Sequence, residues 1–348
     1  MHTQPDIIAA AFGPSEPTRL IESEALARRS GVARVLLKAE NERPFGNFKI
    51  LGGLSAGLKA LARRSGTSVE ALLADPRAHG GLPALVCASD GNHGLAVALA
   101  ARAAGTRAVV VLHGKVDRAR TGRIAGTGAE VVMVAGTYDD AVDHARSLAE
   151  GGGMLLIPDT TDRPDDPVVA DVMRGYRRIT DEIARQLAGG PPPTHLFVQA
   201  GVGGLAAAMA EGLRALGAHP FTVAVVEPVE AACVRHALET GRIERVGGDL
   251  GTAADMLSCG MASAPAVEIL RRHRARTVLV EDRDLLDAVS VLEREAGLRS
   301  TPSGAAGLAG LLRAGPDRAG LGLDERSVVL LVVTEGPFAP SREGVPSP

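Results

Sequence analysis

Tryptophan is absent from the 348 residues, and aromatic side chains are scarce, with two tyrosines and six phenylalanines. So few rings leave no stacking platform for single-stranded nucleic acid. Aliphatic side chains have to fill the interior instead. Cysteine is sparse as well: Cys87, Cys233 and Cys259 are an odd number at wide spacings, which fits neither a disulfide framework nor a zinc site. A reducing compartment is the simplest setting. An excess of either charge is also missing. Lysine and arginine number 38 against 41 acidic residues, giving a net charge of -3 and a pI near 6.3. No basic field therefore draws the chain to nucleic acid or to an anionic membrane. No apolar run approaches membrane-spanning length, and residues 1–15 carry no basic stretch followed by an apolar one. A cytoplasmic protein with a small-molecule partner is expected. Lysine is rare among the bases, confined to Lys38, Lys49, Lys59 and Lys115. Chemistry that needs an amine has few candidates.

What is present is a long chain with 45% apolar residues and mean hydropathy of +0.11. That length exceeds what one core usually serves, so two lobes with a cleft between them are expected. A short aliphatic run at 35–38 is followed by a turn-like stretch over 41–47 and an Ala/Leu-rich helix reaching about residue 64. From residue 84 the pattern alternates strand and helix through strands near 108–112, 130–134 and 154–157, which predicts βαβ units and parallel pairing. A second series starts with a helix over 168–187. It crosses the Pro-rich loop 189–193 and resumes with a strand at 195–199, followed by a Gly-rich turn. Strands at 222–226 and 328–333 read as central strands of a second sheet, with a helix over 284–296 between them. The fold class is α/β, two lobes, each a mostly parallel twisted sheet flanked by helices.

Three segments carry chemistry. Pro44-Phe45-Gly46-Asn47-Phe48-Lys49 sets a lysine at a helix start, where it can project into a cleft beside backbone donors. Ser89, Asp90, Gly91, Asn92 and His93 form a polar, glycine-containing turn at the C-terminal end of a strand, where α/β sheets bind ligands and amides converge on an anion such as a substrate carboxylate. An ordinary turn with Asn92 as the helix cap is the plain alternative. Gly201, Val202, Gly203, Gly204 and Leu205 lie between a strand and a helix, so that glycines bring backbone amides close to a phosphate. They are neither a P-loop nor a dinucleotide fingerprint. A lysine, an anion-binding turn and a phosphate-type loop together suit a Schiff-base cofactor.

With these segments in this order, the sequence resembles the fold type II (tryptophan synthase β-like) pyridoxal-phosphate enzymes over nearly its whole length. The resemblance runs from Thr18-Arg19-Leu20 through Leu37-Lys38-Ala39-Glu40 and Phe48-Lys49 to Thr334-Glu335-Gly336. It implies pyridoxal 5'-phosphate held covalently by Lys49, with Asn92 on the cofactor's ring oxygen, the phosphate on residues 201–205 and Thr334 on the pyridine nitrogen. It also implies a large cofactor-binding domain from 1–85 and 191–348, a small domain over 86–190 bearing the substrate-carboxylate loop, and a homodimer. Asp90, the Phe-Lys-Ile-Leu-Gly-Gly run and Pro158-Asp159-Thr160 are similar to the diaminopropionate ammonia-lyases. There Asp90 and Asp159 would hold, or exchange protons with, an amino group at the β-carbon. The plain alternative makes Asp90 a helix cap and Asp159 a strand end. The Asp/Pro-rich stretch 161–167 is expected to shape the pocket entrance. The implied activity is α,β-elimination on a small amino acid such as 2,3-diaminopropionate, giving pyruvate and ammonia. A serine or threonine dehydratase, a β-replacement synthase and a silent cofactor-holding regulatory protein share the resemblance and stay open. No metal site is read, and no role is needed for His93, His195 or the cysteines.

Overall fold

The computed structural model describes residues 7–337 apart from Asp90, Lys115, Asp117, Thr137, Ala188 and 218–220. Among the described residues ten strands make two sheets. β1 (Leu20–Glu22), β2 (Arg34–Lys38), β7 (His195–Gln199), β8 (Thr222–Pro228), β9 (Arg276–Val280) and β10 (Val328–Val332) form one six-stranded sheet in the order β1-β2-β10-β7-β8-β9. β3 (Ala84–Ala88), β4 (Ala108–His113), β5 (Glu130–Val134) and β6 (Met154–Leu156) form the other, in the order β5-β4-β3-β6. Every pairing is parallel except β1 with β2. The two strands expected at the middle of the second sheet are interior: β10 lies between β2 and β7, and β8 lies between β7 and β9. β9 was not foreseen; it is an edge strand whose half-buried Arg-Thr-Val-Leu-Val gives a weak signal.

Period-two alternation sets the layers, because successive strand side chains point to opposite faces. Leu36, Leu196, Val198, Leu330 and Val332 face the core shared with the four-stranded sheet. Val35, Leu37, Phe197, Val329 and Leu331 face a second core under the helices Asp282–Ala296 and Pro302–Arg313. The latter helix was also unassigned from sequence. It is buried along most of its length, so it shows no polar face to betray a helical period.

Four helices fill the seam between the sheets: Lys49–Ser65, Asn92–Ala103, Pro167–Gln186 and Gly204–Ala215. Their approach is close because of glycine. A Cβ at Gly52 would lie 2.5 Å from Tyr176 Cε1, one at Gly53 2.6 Å from the Ala96 Cβ, and one at Gly57 2.7 Å from the Ala100 Cβ. Each interior glycine costs about 0.5–1 kcal/mol of helix propensity relative to alanine, and the close packing offsets it.

A buried charge cluster anchors the segment that leads into this seam. Lys38 Nζ contacts Glu182 Oε2 at 2.7 Å, Arg43 Nη1 contacts Glu182 Oε1 at 2.7 Å, and Arg43 Nη2 contacts Glu40 Oε1 at 2.6 Å. All four side chains are shut off from solvent. Thr18 Oγ1 donates to Glu40 at 2.6 Å, and Lys38 also donates to the Thr18 carbonyl at 2.7 Å. Burial by itself would raise the Glu182 carboxyl, but Arg43 and Lys38 outweigh it and hold it at about 2.

Removing one member leaves opposite charges buried without a partner, which costs about 3–5 kcal/mol. Glu182→Ala should therefore lose stability of that order in denaturant unfolding. The cluster also sets an acid limit. Glu182 in the unfolded chain titrates near ~4.3, above its folded value, so its contribution is complete above that pH and disappears as pH falls toward 2. Unfolding midpoints measured between pH 6 and pH 2.5 should drop more steeply for the wild type than for Glu182→Ala.

Candidate active site

Lys49 is the first residue of the helix Lys49–Ser65. The turn before it is tied down from two sides. Asn47 Oδ1 accepts from the Lys49 amide at 3.0 Å, and the Phe48 amide donates to the Thr334 carbonyl at 3.1 Å. This fastens the lysine beside the end of β10. Its ammonium meets Asp159 Oδ2 at 2.5 Å, just beyond β6. Tyr138 donates to the other carboxylate oxygen at 3.3 Å. Burial opposes the charge on both partners. The attraction between them is larger, so Lys49 is held well above the ordinary lysine range and Asp159, with His93 also nearby, well below the carboxylate range.

The turn that follows β3 is closed by Ser89. Ser89 Oγ accepts from the Gly91 amide at 2.9 Å and from the Gly94 amide at 2.8 Å. Gly91 has φ +147°, a backbone that side chains rarely adopt. The helix begins at Asn92, so Asn92 stands inside the first turn and is not the cap, a position Gly91 takes. Asp90 lies outside the described residues. Buried His93 bonds the Ile157 carbonyl through Nε2 at 2.8 Å, and desolvation lowers its pKa. That contact steadies the strand end that carries Asp159.

Gly203 has φ +95° and caps the helix Gly204–Ala215, whose first amides have no carbonyl to bond within the helix. A Cβ at Gly201 would lie 2.9 Å from Cys259 Sγ and 3.3 Å from the Met256 carbonyl. The loop thus leaves a bare cradle of N–H groups at a helix start, suited to an anion. Opposite it, Thr334 Oγ1 accepts from Gln199 Nε2 at 2.9 Å, which leaves the threonine proton free to donate.

A single pocket is lined by Lys49, Asn92, Asp159, the loop 201–205 and Thr334. It also includes residues assigned no role from the sequence: Tyr176, Gln199, Cys259 and Glu335. Tyr176 packs on Phe48 with ring centroids 4.9 Å apart. Asp159 faces a second cavity too, shared with Tyr138, Thr161, Asp162, Arg163 and Asp166; residues 161–167 line this cavity in part and are not among the residues lining the Lys49 pocket. Among the described residues no group of His, Cys, Asp or Glu is placed to hold a metal ion, and no helix is long and apolar enough to cross a membrane.

The chain is similar to known proteins along most of its length. Residues 12–335 match the family model of the pyridoxal-phosphate dependent enzymes. The diaminopropionate ammonia-lyase of Escherichia coli (strain K12) is 32% identical over 337 residues, covering 92% of this chain and 84% of that protein. The human serine dehydratase-like protein is 30% identical over 300 residues, covering 85% and 83%. Among solved structures, the Escherichia coli diaminopropionate ammonia lyase in complex with an aminoacrylate-PLP azomethine reaction intermediate aligns with a TM-score of 0.84 and 28% identity. It covers 95% of this chain and 87% of the other. Matched along nearly all its length, the chain belongs to the pyridoxal-phosphate dependent enzyme family.

Proposed function

We propose that the pocket binds pyridoxal 5'-phosphate and catalyses α,β-elimination of ammonia from a small amino acid that carries a β-amino group, such as 2,3-diaminopropionate. The observation that carries this reading is the Asp159 carboxylate seated on the Lys49 amine inside the pocket.

The residues present fit the cofactor. Lys49 would hold its aldehyde carbon, the bare amides of Gly201, Val202, Gly203, Gly204 and Leu205 its phosphate, and the Thr334 hydroxyl its pyridine nitrogen. Asn92 would face its ring oxygen. The bound cofactor supplies an electron sink for the pair released when the Cα proton leaves.

The protein's own groups do the rest. Asp159 takes the proton that the Lys49 ammonium must lose before its amine can act as a nucleophile or base. The freed Lys49 amine removes the substrate's Cα proton. Ser89, Gly91, Asn92 and His93, in the turn at the start of the helix, orient the substrate carboxylate. Asp159 then returns a proton to the β-amino group as the Cβ–N bond breaks and ammonia departs. The aminoacrylate so formed hydrolyses to pyruvate and a second ammonia. Asp90 is the second acid of this reading, for the substrate amine or the proton of the opposite enantiomer.

A leaving ammonia favours diaminopropionate over serine, because a basic β-amine takes the proton held on Asp159 far more readily than a weakly basic hydroxyl does. The serine dehydratase-like relative keeps hydroxyl loss as the rival. A cytoplasmic homodimer belongs to the same proposal, and light scattering on the purified protein tests the dimer.

Wild type should show a visible cofactor band and form pyruvate from diaminopropionate faster than from serine or threonine. Lys49→Ala should lose both the band and turnover. Equal or faster turnover of serine would identify a dehydratase, and a band with no product from any of the three would identify a silent binder. Asp159→Asn should cut kcat on diaminopropionate by about 10²–10⁴, the usual yield of a positioned acid–base group, in a coupled pyruvate assay. Gly201→Ala should weaken cofactor affinity by about tenfold, the equivalent of one charge-assisted hydrogen bond, read by absorbance titration.

A further inference from the structure

Glu335 is a buried carboxylate in the pocket wall for which the chemistry above has no use. It stands three residues beyond the end of β10 in the six-stranded sheet. Oε1 accepts from Thr301 Oγ1 at 2.6 Å, and Oε2 accepts from Asn92 Nδ2. Its main chain is fixed as well: it forms a bridge with Asn47, and its carbonyl accepts from Ser300 Oγ at 2.7 Å. Asn92 belongs to the helix that packs on β3 and β4 of the other sheet. The Glu335–Asn92 contact therefore joins the end of one sheet to a helix of the other.

An asparagine amide has two N–H hydrogens and one carbonyl oxygen. The torsion that turns it has broad, weakly separated wells. Without a partner its direction is not fixed. Here one Nδ2 hydrogen is committed to Glu335, which leaves the second for a guest in the pocket.

We propose that Glu335 is a positioning residue for Asn92, holding the amide so that its second Nδ2 hydrogen is kept for the ring oxygen of the bound cofactor. The inference rests on the pocket being the pyridoxal-phosphate site. Burial raises the Glu335 pKa against the pull of Thr301 and Asn92, with Arg120 lowering it and Asp255 raising it from nearby. Arg123 also lies close enough to feel its charge. Positioning survives either protonation state, since a protonated Oε1 can donate to Thr301 while Oε2 still accepts from Asn92. What the role requires is an acceptor at that point, and glutamine provides one: its carbonyl can face Asn92 while its amide donates to Thr301.

The test is a double-mutant cycle read by cofactor affinity and by the pH titration of the visible band, with turnover as a third measure. Wild-type holoenzyme and Lys49→Ala serve as controls. Glu335→Ala should weaken cofactor affinity by about tenfold and displace the pH midpoint of the band by about one unit. Asn92→Ala should show a loss of the same size, and the double variant Asn92→Ala/Glu335→Ala should be no more than about twofold worse than Asn92→Ala alone. Glu335→Gln should recover most of the affinity and the wild-type midpoint. Additive losses in the double variant, or a Glu335→Gln protein as weak as Glu335→Ala, would overturn the inference. A wild-type protein that takes up no cofactor, with no band to compare against Lys49→Ala, would instead bring down the pocket reading beneath it.

Discussion

The contact between the Lys49 amine and the Asp159 carboxylate depends on two chains of structure meeting at one point. Lys49 arrives on a helix wedged between the helices Asn92–Ala103 and Pro167–Gln186, and Asp159 arrives just past a short strand of the opposite sheet. Neither side chain can settle the geometry by itself. A pair this enclosed is unfavourable unless the partners stay within hydrogen-bond range. The packing of the seam, the tethered turn before Lys49 and the His93 bond to the Ile157 carbonyl all serve to keep that distance short. The same enclosure makes the pair chemically useful. In a poorly hydrated pocket a proton shared between amine and carboxylate answers strongly to whatever charge enters beside it.

The other buried charges of the protein are managed differently. Around Glu182, three bases, Lys38, Arg43 and Arg178, and the two acids Glu40 and Glu182 satisfy one another, and none of them lines the pocket. That cluster fixes the loop feeding Lys49 and takes no part in reaction. Glu227, also buried, accepts the amides of Val234 and Arg235 at 2.7 and 2.8 Å and is turned away from the site as a cap for the helix Cys233–Thr240. At Lys49 and Glu335, by contrast, part of each group's bonding capacity faces the cavity.

Much of the site was legible in the sequence because its parts lie in short segments where backbone and side chain both leave a mark. A lysine after a glycine-containing turn, a Ser-Asp-Gly-Asn-His-Gly stretch after an apolar run, and a Gly-Val-Gly-Gly loop each announce a strand end or a helix start. Thr334 and Asp159 were found through resemblance rather than pattern. Tyr176, Gln199 and Cys259 were not found, since each sits within or beside an apolar element and reads as core until the fold turns it toward the cavity. Glu335 was quoted as part of Thr334-Glu335-Gly336, yet nothing in one sequence says that its partner is Asn92, 243 positions away. The fold followed the same division. Alternating strands and amphipathic helices were readable, whereas the enclosed Pro302–Arg313 helix and the edge strand β9 carried no period to read.

The glycines along the Lys49–Ser65 helix bear on how such a protein can change over generations. With Tyr176, Ala96 and Ala100 already inside the space a Cβ would need at Gly52, Gly53 and Gly57, the helix that begins at Lys49 has almost no room for drift on its inner face. Any larger residue there requires a compensating loss on a neighbouring helix, so single substitutions are blocked and paired ones are rare. Diversification toward new substrates is thereby diverted to the exposed residues beside Asp159, at 161–166, where side chains border a cavity without being gripped on all sides. Space thus constrains the inner face of this helix far more tightly than the open stretch beside Asp159.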